Sequence, residues 1–270
     1  MGCDCGVEID VKRVKLAYGE RNSQYGHVYL PPTPADGPVP VVVLVHGGYW
    51  STEFALTIET AVARDLADRG AVVWNIEYRR VGEDGGGWPR TGNDVVAAIS
   101  ALDGPVRYAL PEDIATRADW SNVSVVGHSA GGQLAVWAVA CLGAKTKRTT
   151  ITTVVAQAAA LDLLAGGRAA RPSLRALMGA SIAEAPQRYT EASPVDQPPF
   201  PAHVVAIHGD LDESLPADIS RDYVRRATAA GQSAELIIVP GEGHDVFVNP
   251  ASRGHRETVR VLGLQRRAKY

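Results

Sequence analysis

Short unbroken apolar runs alternate along this chain with segments whose apolar residues recur every three or four positions. The runs Val41–Val45, Ala71–Tyr78, Val123–Val126, Thr152–Ala158, His203–Ile207 and Glu235–Val239 are rich in Val, Ile and Ala. Continuous apolar runs of this length mark strands buried on both faces. Between them, Thr57–Arg69 places Ile58, Val62 and Leu66 on one face and stops at Gly70, and Thr91–Leu102 groups Val95, Ile99 and Leu102. Both patterns predict helices. Ala130–Leu142, Pro216–Ala230 and Pro250–Leu262 read as further helices. Ahead of these, Val7–Ala17 and Tyr25–Leu30 predict an antiparallel pair turning around Gly19 and Asn22, followed by the proline-rich connector Pro31–Pro40.

Strands that alternate with helices imply parallel βαβ crossovers. The expected fold is therefore α/β: one domain over residues 1–270, with a mostly parallel sheet of about eight strands covered by helices on both faces. The stretch Leu161–Pro201 breaks the rhythm. It has no clear strand and carries Pro172, Pro186, Pro194, Pro198, Pro199 and Pro201. It reads as a small cap-like insertion of short helices and loops, which either roofs a cleft or simply crosses the surface.

Composition narrows the function classes. The chain is 46% apolar and 21% charged, enough to bury a core, and its net charge of -3 argues against a general binder of nucleic acid or membrane surfaces. The pairs Arg225-Arg226 and Arg266-Arg267 read as solvated helix faces. Three cysteines make no disulfide framework, and Cys3 and Cys5 lack downstream partners at zinc spacing. No apolar stretch precedes Cys3, Gly6 stands where myristoylation favours Ser or Thr, and no apolar run approaches a membrane span. The expectation is a cytoplasmic protein with no nucleic-acid and no membrane partner. A homodimer stays open.

The chemistry centres on Val123-Ser-Val-Val-Gly-His-Ser-Ala-Gly-Gly132. A strand runs through Gly127-x-Ser129-x-Gly131 into a helix, the context in which a sharp turn projects a serine hydroxyl into a cleft. Its neighbours two residues either side must be tiny, because strand and helix pack closely at that corner. A serine hydroxyl is a weak nucleophile and needs a base, an acid to orient the base, and donors for the oxyanion. His244 is the candidate base, in the glycine-flanked loop Pro240-Gly-Glu-Gly-His-Asp245 after the last strand. The acid comes from His208-Gly-Asp-Leu-Asp-Glu-Ser-Leu-Pro216, with Asp212 favoured over Asp210 and Glu213 because it lies further into the loop. Asp210 reads as a brace of the turn. His46-Gly-Gly-Tyr-Trp50 offers the oxyanion hole, with the amides of Gly48 and Tyr49 joined by that of Ala130. Tyr49, Trp50 and His128 are the candidate substrate contacts, with ordinary packing the alternative for the two aromatics. Arg79, Arg80, Gly85-Gly-Gly-Trp-Pro89 and Asp94 form a second cluster, either a pocket-lining loop or, preferred, a loop braced by an Arg–Asp94 pair.

Taken in order, His46-Gly-Gly-Tyr-Trp, Gly-His-Ser-Ala-Gly-Gly, His-Gly-x-x-Asp-x-x-x-Pro and Gly-x-Gly-His244 resemble the α/β-hydrolase superfamily over roughly residues 39–250. Within it they are most similar to HGG-type carboxylesterases, the kynurenine formamidase (arylformamidase) branch and the prolyl-oligopeptidase-like hydrolases. In the last branch the second aspartate of the His-Gly-x-x-Asp motif is the acid, which supports Asp212. Tyr49 stands where many hormone-sensitive-lipase-like esterases carry a third glycine, a departure that leans toward the formamidase pattern. The resemblance implies a serine hydrolase acting on a small-molecule ester or amide: a carboxylesterase, with an arylformamidase as the alternative. A catalytically silent scaffold of the same fold is the reading from another class, and it usually lacks one of the three residues found here. No H-E-x-x-H, clustered Cys/His, phosphate loop or dinucleotide fingerprint is present, so neither metal nor cofactor is expected.

Overall fold

Alternation along the central strands decides the layering. In the computed structural model, which describes residues 12–32, 37–165 and 172–264, Val41, Val43 and Val45 pack into one apolar layer while Val42 and Leu44 pack into the other. A strand with both faces apolar can only sit between two layers of cover. The strands are β1 (Arg13–Ala17), β2 (Tyr25–Tyr29), β3 (Val39–Val45), β4 (Val72–Ile76), β5 (Ala118–His128), β6 (Ile151–Gln157), β7 (His203–Gly209) and β8 (Ala234–Val239). They form one eight-stranded sheet in the order β1-β2-β4-β3-β5-β6-β7-β8. The β1–β2 and β2–β4 pairs are antiparallel, and all the others are parallel.

The helices are α1 (Thr60–Asp68), α2 (Arg90–Ser100), the short α3 (Pro105–Tyr108) and α4 (Glu112–Ala115), α5 (Ala130–Leu142), α6 (Pro172–Met178), α7 (Pro186–Ala192), α8 (Asp218–Ala229) and α9 (Arg253–Val261). Val95, Ile99, Leu134, Val136, Ile219 and Tyr223 carry α2, α5 and α8 onto one face of the sheet. Val62, Leu66 and Val259 carry α1 and α9 onto the other.

The differences from the sequence reading have local causes. Thr57–Arg69 begins as a 3-10 turn over Leu56–Glu59 before α1. β5 starts five residues earlier than its apolar run because Ala118 pairs with Val39 across a register shift. The helix expected from Pro250 starts at Arg253, where the Ser252 side chain accepts the His255 N–H as an N-cap. The readings placed on Cys3, Cys5, Val7–Val11 and Arg266-Arg267 lie outside the described residues. No helix among the described residues is long and apolar enough to cross a membrane.

The stretch after β6 contains α6, α7 and a 3-10 turn at Pro194–Asp196. Its two ends meet. The Val195 N–H donates to Leu161 O (3.0 Å), and Ser193 Oγ accepts the Leu163 N–H (3.0 Å). Arg226 of α8 pairs with Asp162 at one end (3.1 Å) and Asp196 at the other (2.8 Å). The excursion is thus a loop with a closed neck. It is held against α5 by Trp137 Nε1–H donating to Glu191 O (2.8 Å) and by Gln133 Nε2–H donating to Ala192 O (2.9 Å).

Candidate active site

Strand β5 ends and α5 begins with no intervening loop, so one residue must take an unusual conformation to turn the corner. Ser129 takes it, with φ 53° and ψ -117°. The glycines around it are sterically required. A Cβ on Gly127 would fall 2.3 Å from Gly131 O, and one on Gly131 would fall 2.1 Å from Val45 O. Strand β3 and helix α5 can approach this closely only without side chains at those positions.

The turn aims Ser129 Oγ at His244, whose Nε2 lies 2.9 Å away. His244 Nδ1 lies 2.7 Å from Asp212 Oδ2. These groups follow the C-terminal ends of β5, β8 and β7, which run parallel and so open at the same edge of the sheet, with β6 between β5 and β7. Asp212 is buried and heavily solvated by protein donors. Its Oδ1 accepts the Ser214 (2.8 Å) and Leu215 (2.7 Å) amides, and its Oδ2 lies 3.0 Å from His208 Nε2. Burial alone would raise its pKa, but the hydrogen bonds from His208, His244 and Leu215 outweigh burial and hold the carboxyl well below the usual range. Asp210 accepts the Gly241 N–H (2.6 Å) and braces the turn after β8, and Glu213 is exposed.

His208 is the residue of this site that sequence reasoning missed. It is fully buried, with Nδ1 2.7 Å from Ser220 Oγ and Nε2 shared between Asp212 and the Leu215 carbonyl (2.8 Å). Its position four residues before Asp212 was the available signal.

Loop 46–50 crosses directly behind the serine. A Cβ on Gly47 would meet Ser129 Cβ at 3.2 Å. Gly48, Tyr49 and Trp50 have φ of 107°, 56° and 58°. Of the five described non-glycine residues with positive φ, three are Tyr49, Trp50 and Ser129; backbone strain of this kind gathers at functional sites. The Gly48, Tyr49 and Ala130 amides donate to no protein acceptor among the described residues. Trp50 donates from Nε1 to Gln133 Oε1 (3.0 Å), tying the loop to α5.

A small cavity of about 40 Å³ opens above the serine, with Ser129, Ala130 and His244 at its base. Tyr49 and Trp50 line one part, and Leu163, Leu174, Leu215 and Ile219 give it aliphatic walls. Leu163 and Leu174 belong to the excursion after β6. His128, expected at the substrate, is not part of the lining. It is 5% exposed and donates from Nε2 to the His244 carbonyl (2.9 Å), because adjacent residues at the elbow point to opposite sides of the sheet edge. Burial, together with neighbouring His244, pushes its pKa down to about 3.

The glycine loop after β4 does not reach the cavity either. Asp94 binds Arg79 through Nε (2.8 Å) and Nη2 (2.6 Å). The Trp88 N–H donates to Leu177 O (2.8 Å), and its ring packs edge-on against Trp137 at 4.6 Å. The loop therefore supports α6, which carries Leu174 into the wall. Ligand atoms of His128, His244 and Asp245 lie within 4.8 Å of one another; both ring nitrogens of His244 face Asp212 and Ser129, and Nε2 of His128 is committed to a carbonyl while its Nδ1 has no hydrogen-bond partner among the described residues.

Known proteins share this architecture. The structure superimposes on a truncated carbohydrate esterase from gut microbiota with a TM-score of 0.76 at 19% identity, covering 93% of this chain and 95% of that one. An inhibited esterase B from Lactobacillus rhamnosis gives 0.75 at 18% identity, covering 94% and 87%. In sequence, the chain is 26% identical over 264 residues to isoprenylcysteine alpha-carbonyl methylesterase ICME of Arabidopsis thaliana, covering 91% of this chain and 59% of that protein. It is 28% identical over 255 residues to esterase LipC of Mycobacterium tuberculosis, covering 87% and 60%. The chain thus spans about 60% of the length of these curated relatives. The BD-FAE family description matches residues 27–226, and with its α/β-hydrolase fold the chain belongs to the BD-FAE family.

Proposed function

We propose that this protein is a serine carboxylesterase that cleaves small carboxylic esters through an acyl-enzyme. The observation that carries the reading is the hydrogen-bonded line Ser129–His244–Asp212 at the base of an apolar cavity. Ser129 Oγ attacks the ester carbonyl while His244 Nε2 takes its proton. Asp212 holds the ring and balances the imidazolium charge. The tetrahedral oxyanion is met by the amides of Gly48, Tyr49 and Ala130. His244 then returns the proton to the departing alkoxide, and the alcohol leaves. Water, deprotonated by His244, attacks the acyl-serine; collapse releases the carboxylic acid and restores Ser129. No cofactor enters any step. The names of the relatives, methylesterase and esterase, support ester chemistry. A cytoplasmic location is part of the proposal.

The experiment compares turnover of short- and long-chain p-nitrophenyl esters with that of N-formylkynurenine, using Ser129→Ala as the blank. Ester turnover with an inert formamide is the expected result. Efficient deformylation would instead make it an arylformamidase. Activity surviving in Ser129→Ala would remove serine catalysis altogether.

A further inference from the structure

A second buried polar cluster lies beneath loop 46–50, and the serine relay does not use it. His46 is fully buried and stacks on Tyr78, with ring centroids 4.3 Å apart and planes 9° from parallel. Its Nδ1 lies 2.7 Å from the Gly47 carbonyl oxygen, and its Nε2 lies 2.7 Å from Glu77 Oε1.

A carbonyl oxygen can only accept, so Nδ1 carries a proton. Glu77 is placed to be a carboxylate. Its Oε1 accepts the Tyr78 N–H (3.1 Å), and its Oε2 accepts the Leu56 N–H (3.0 Å) and faces Arg80 at 3.4 Å. Burial works to raise its pKa, but His46, Leu56 and Arg80 together bring it below the ordinary value. A carboxylate also only accepts, so Nε2 carries a proton too. The other groups facing this ring do not change the result. Tyr78 directs its hydroxyl to the His46 carbonyl (2.8 Å), and Glu59 behind it is raised to about 8 by burial and is uncharged at neutral pH.

The Gly47 carbonyl and the Gly48 N–H belong to one peptide unit. A strong hydrogen bond accepted at the oxygen polarises that unit and strengthens its N–H as a donor. We propose that His46 is held as an imidazolium by Glu77 and, through the Gly47–Gly48 peptide, strengthens the Gly48 N–H toward the substrate oxyanion. The inference rests on the reading of Gly48 as an oxyanion donor. His46 is a positioning residue here: its protons stay where they are, and only the charge distribution of one peptide changes. Because negative charge develops only in the tetrahedral state, the effect falls on kcat and leaves KM unchanged.

The test has two readouts on the intact protein. The imidazole 15N spectrum, with His46 assigned by its loss in His46→Gln, should show both nitrogens protonated at neutral pH. Glu77→Gln keeps an acceptor for Nε2 but removes the charge that holds the second proton. Its kcat should fall roughly tenfold, a fraction of the ~10²–10³ lost when a donor is removed outright, with KM unchanged. A neutral His46 in the wild-type spectrum overturns the proposal. So does an unaltered kcat in Glu77→Gln, or a parallel loss of binding and kcat, which is the signature of loop support alone. Should Glu77→Gln fail to fold, the wild-type spectrum decides. Failure of the esterase reading looks different: Ser129 stays unlabelled by a fluorophosphonate, and the wild type itself is inactive.

Discussion

His128 Nε2–H donates to the backbone carbonyl of His244 over 2.9 Å, joining residues 116 apart in sequence. The residue beside the candidate nucleophile thus fixes the loop that carries the candidate base. It does so as a neutral ring, held at a pKa of about 3 against an ordinary 6.5. Below pH 6.5 the unfolded chain takes up a proton that the folded chain refuses, so this contribution to stability is full above pH 6.5 and declines as pH falls. Between there and about pH 4.5 the loss should be ~2–3 kcal/mol. His128→Gln keeps a donor for the carbonyl and should flatten that slope in urea unfolding at several pH values. An unchanged slope would show that another group titrates.

Asp212 and Asp210 flank one exposed leucine, yet their carboxylates do different work. Asp212→Asn should lower kcat by about 10⁴, because the amide cannot hold His244 in the required tautomer. Asp210→Asn touches only the Gly241 amide and should leave the rate within about threefold, in line with small surface effects. Steady-state kinetics on the two variants decide between them, and the reverse order would make Asp210 the acid.

Gly131→Ala should be destabilising by at least ~2 kcal/mol, because its Cβ would meet Val45 O at 2.1 Å and His46 O at 2.3 Å and backbone must move. Gly241→Ala, where nothing lies within 4 Å but φ is 75°, should cost less, about 1 kcal/mol. Thermal melts of both report the difference.

Leu174 reaches the cavity from α6, whereas the serine end of the cavity is built from β5 and α5. Leu174→Ala should therefore lengthen the preferred acyl chain without harming turnover of the shortest esters. Each methylene accommodated is worth about 1–3 kcal/mol in kcat/KM discrimination. A chain-length profile that does not move would place the acyl group elsewhere.

Asp94 is buried and takes Arg79 and Gln24 together. Asp94→Ala leaves Arg79 without its partner and should destabilise the protein by about 3 kcal/mol. Because the loop that Asp94 braces from α2 carries Trp88, which supports α6, the loss should also raise KM for longer esters. Chemical denaturation gives the first quantity and substrate titration the second.

Local periodicity made most of the sheet legible. The eight runs read as strands all contain strand residues among those described, since a continuous apolar run and a three-to-four repeat each report how a segment is covered. The short α3 and α4 escaped, because a four-residue helix completes barely one turn and shows no period. The Arg79–Asp94 brace was legible from charge and spacing. Beyond its spacing to Asp212, His208 carries no local sign of its role, because its importance lies in meeting Asp212 and Ser220 together.

By itself, the sequence determined the order of strands and helices, the strand–turn–helix through Ser129, and the loops that present Asp212 and His244. Each of these is written in neighbouring residues. Only the tertiary structure decided that His128 backs His244 instead of facing the cavity, that Leu163 and Leu174 wall that cavity, and that His46 sits between Glu77 and the Gly47 carbonyl. Those outcomes depend on which distant groups meet once the sheet has closed, and a chain's local pattern sets a residue's cover without choosing its partner.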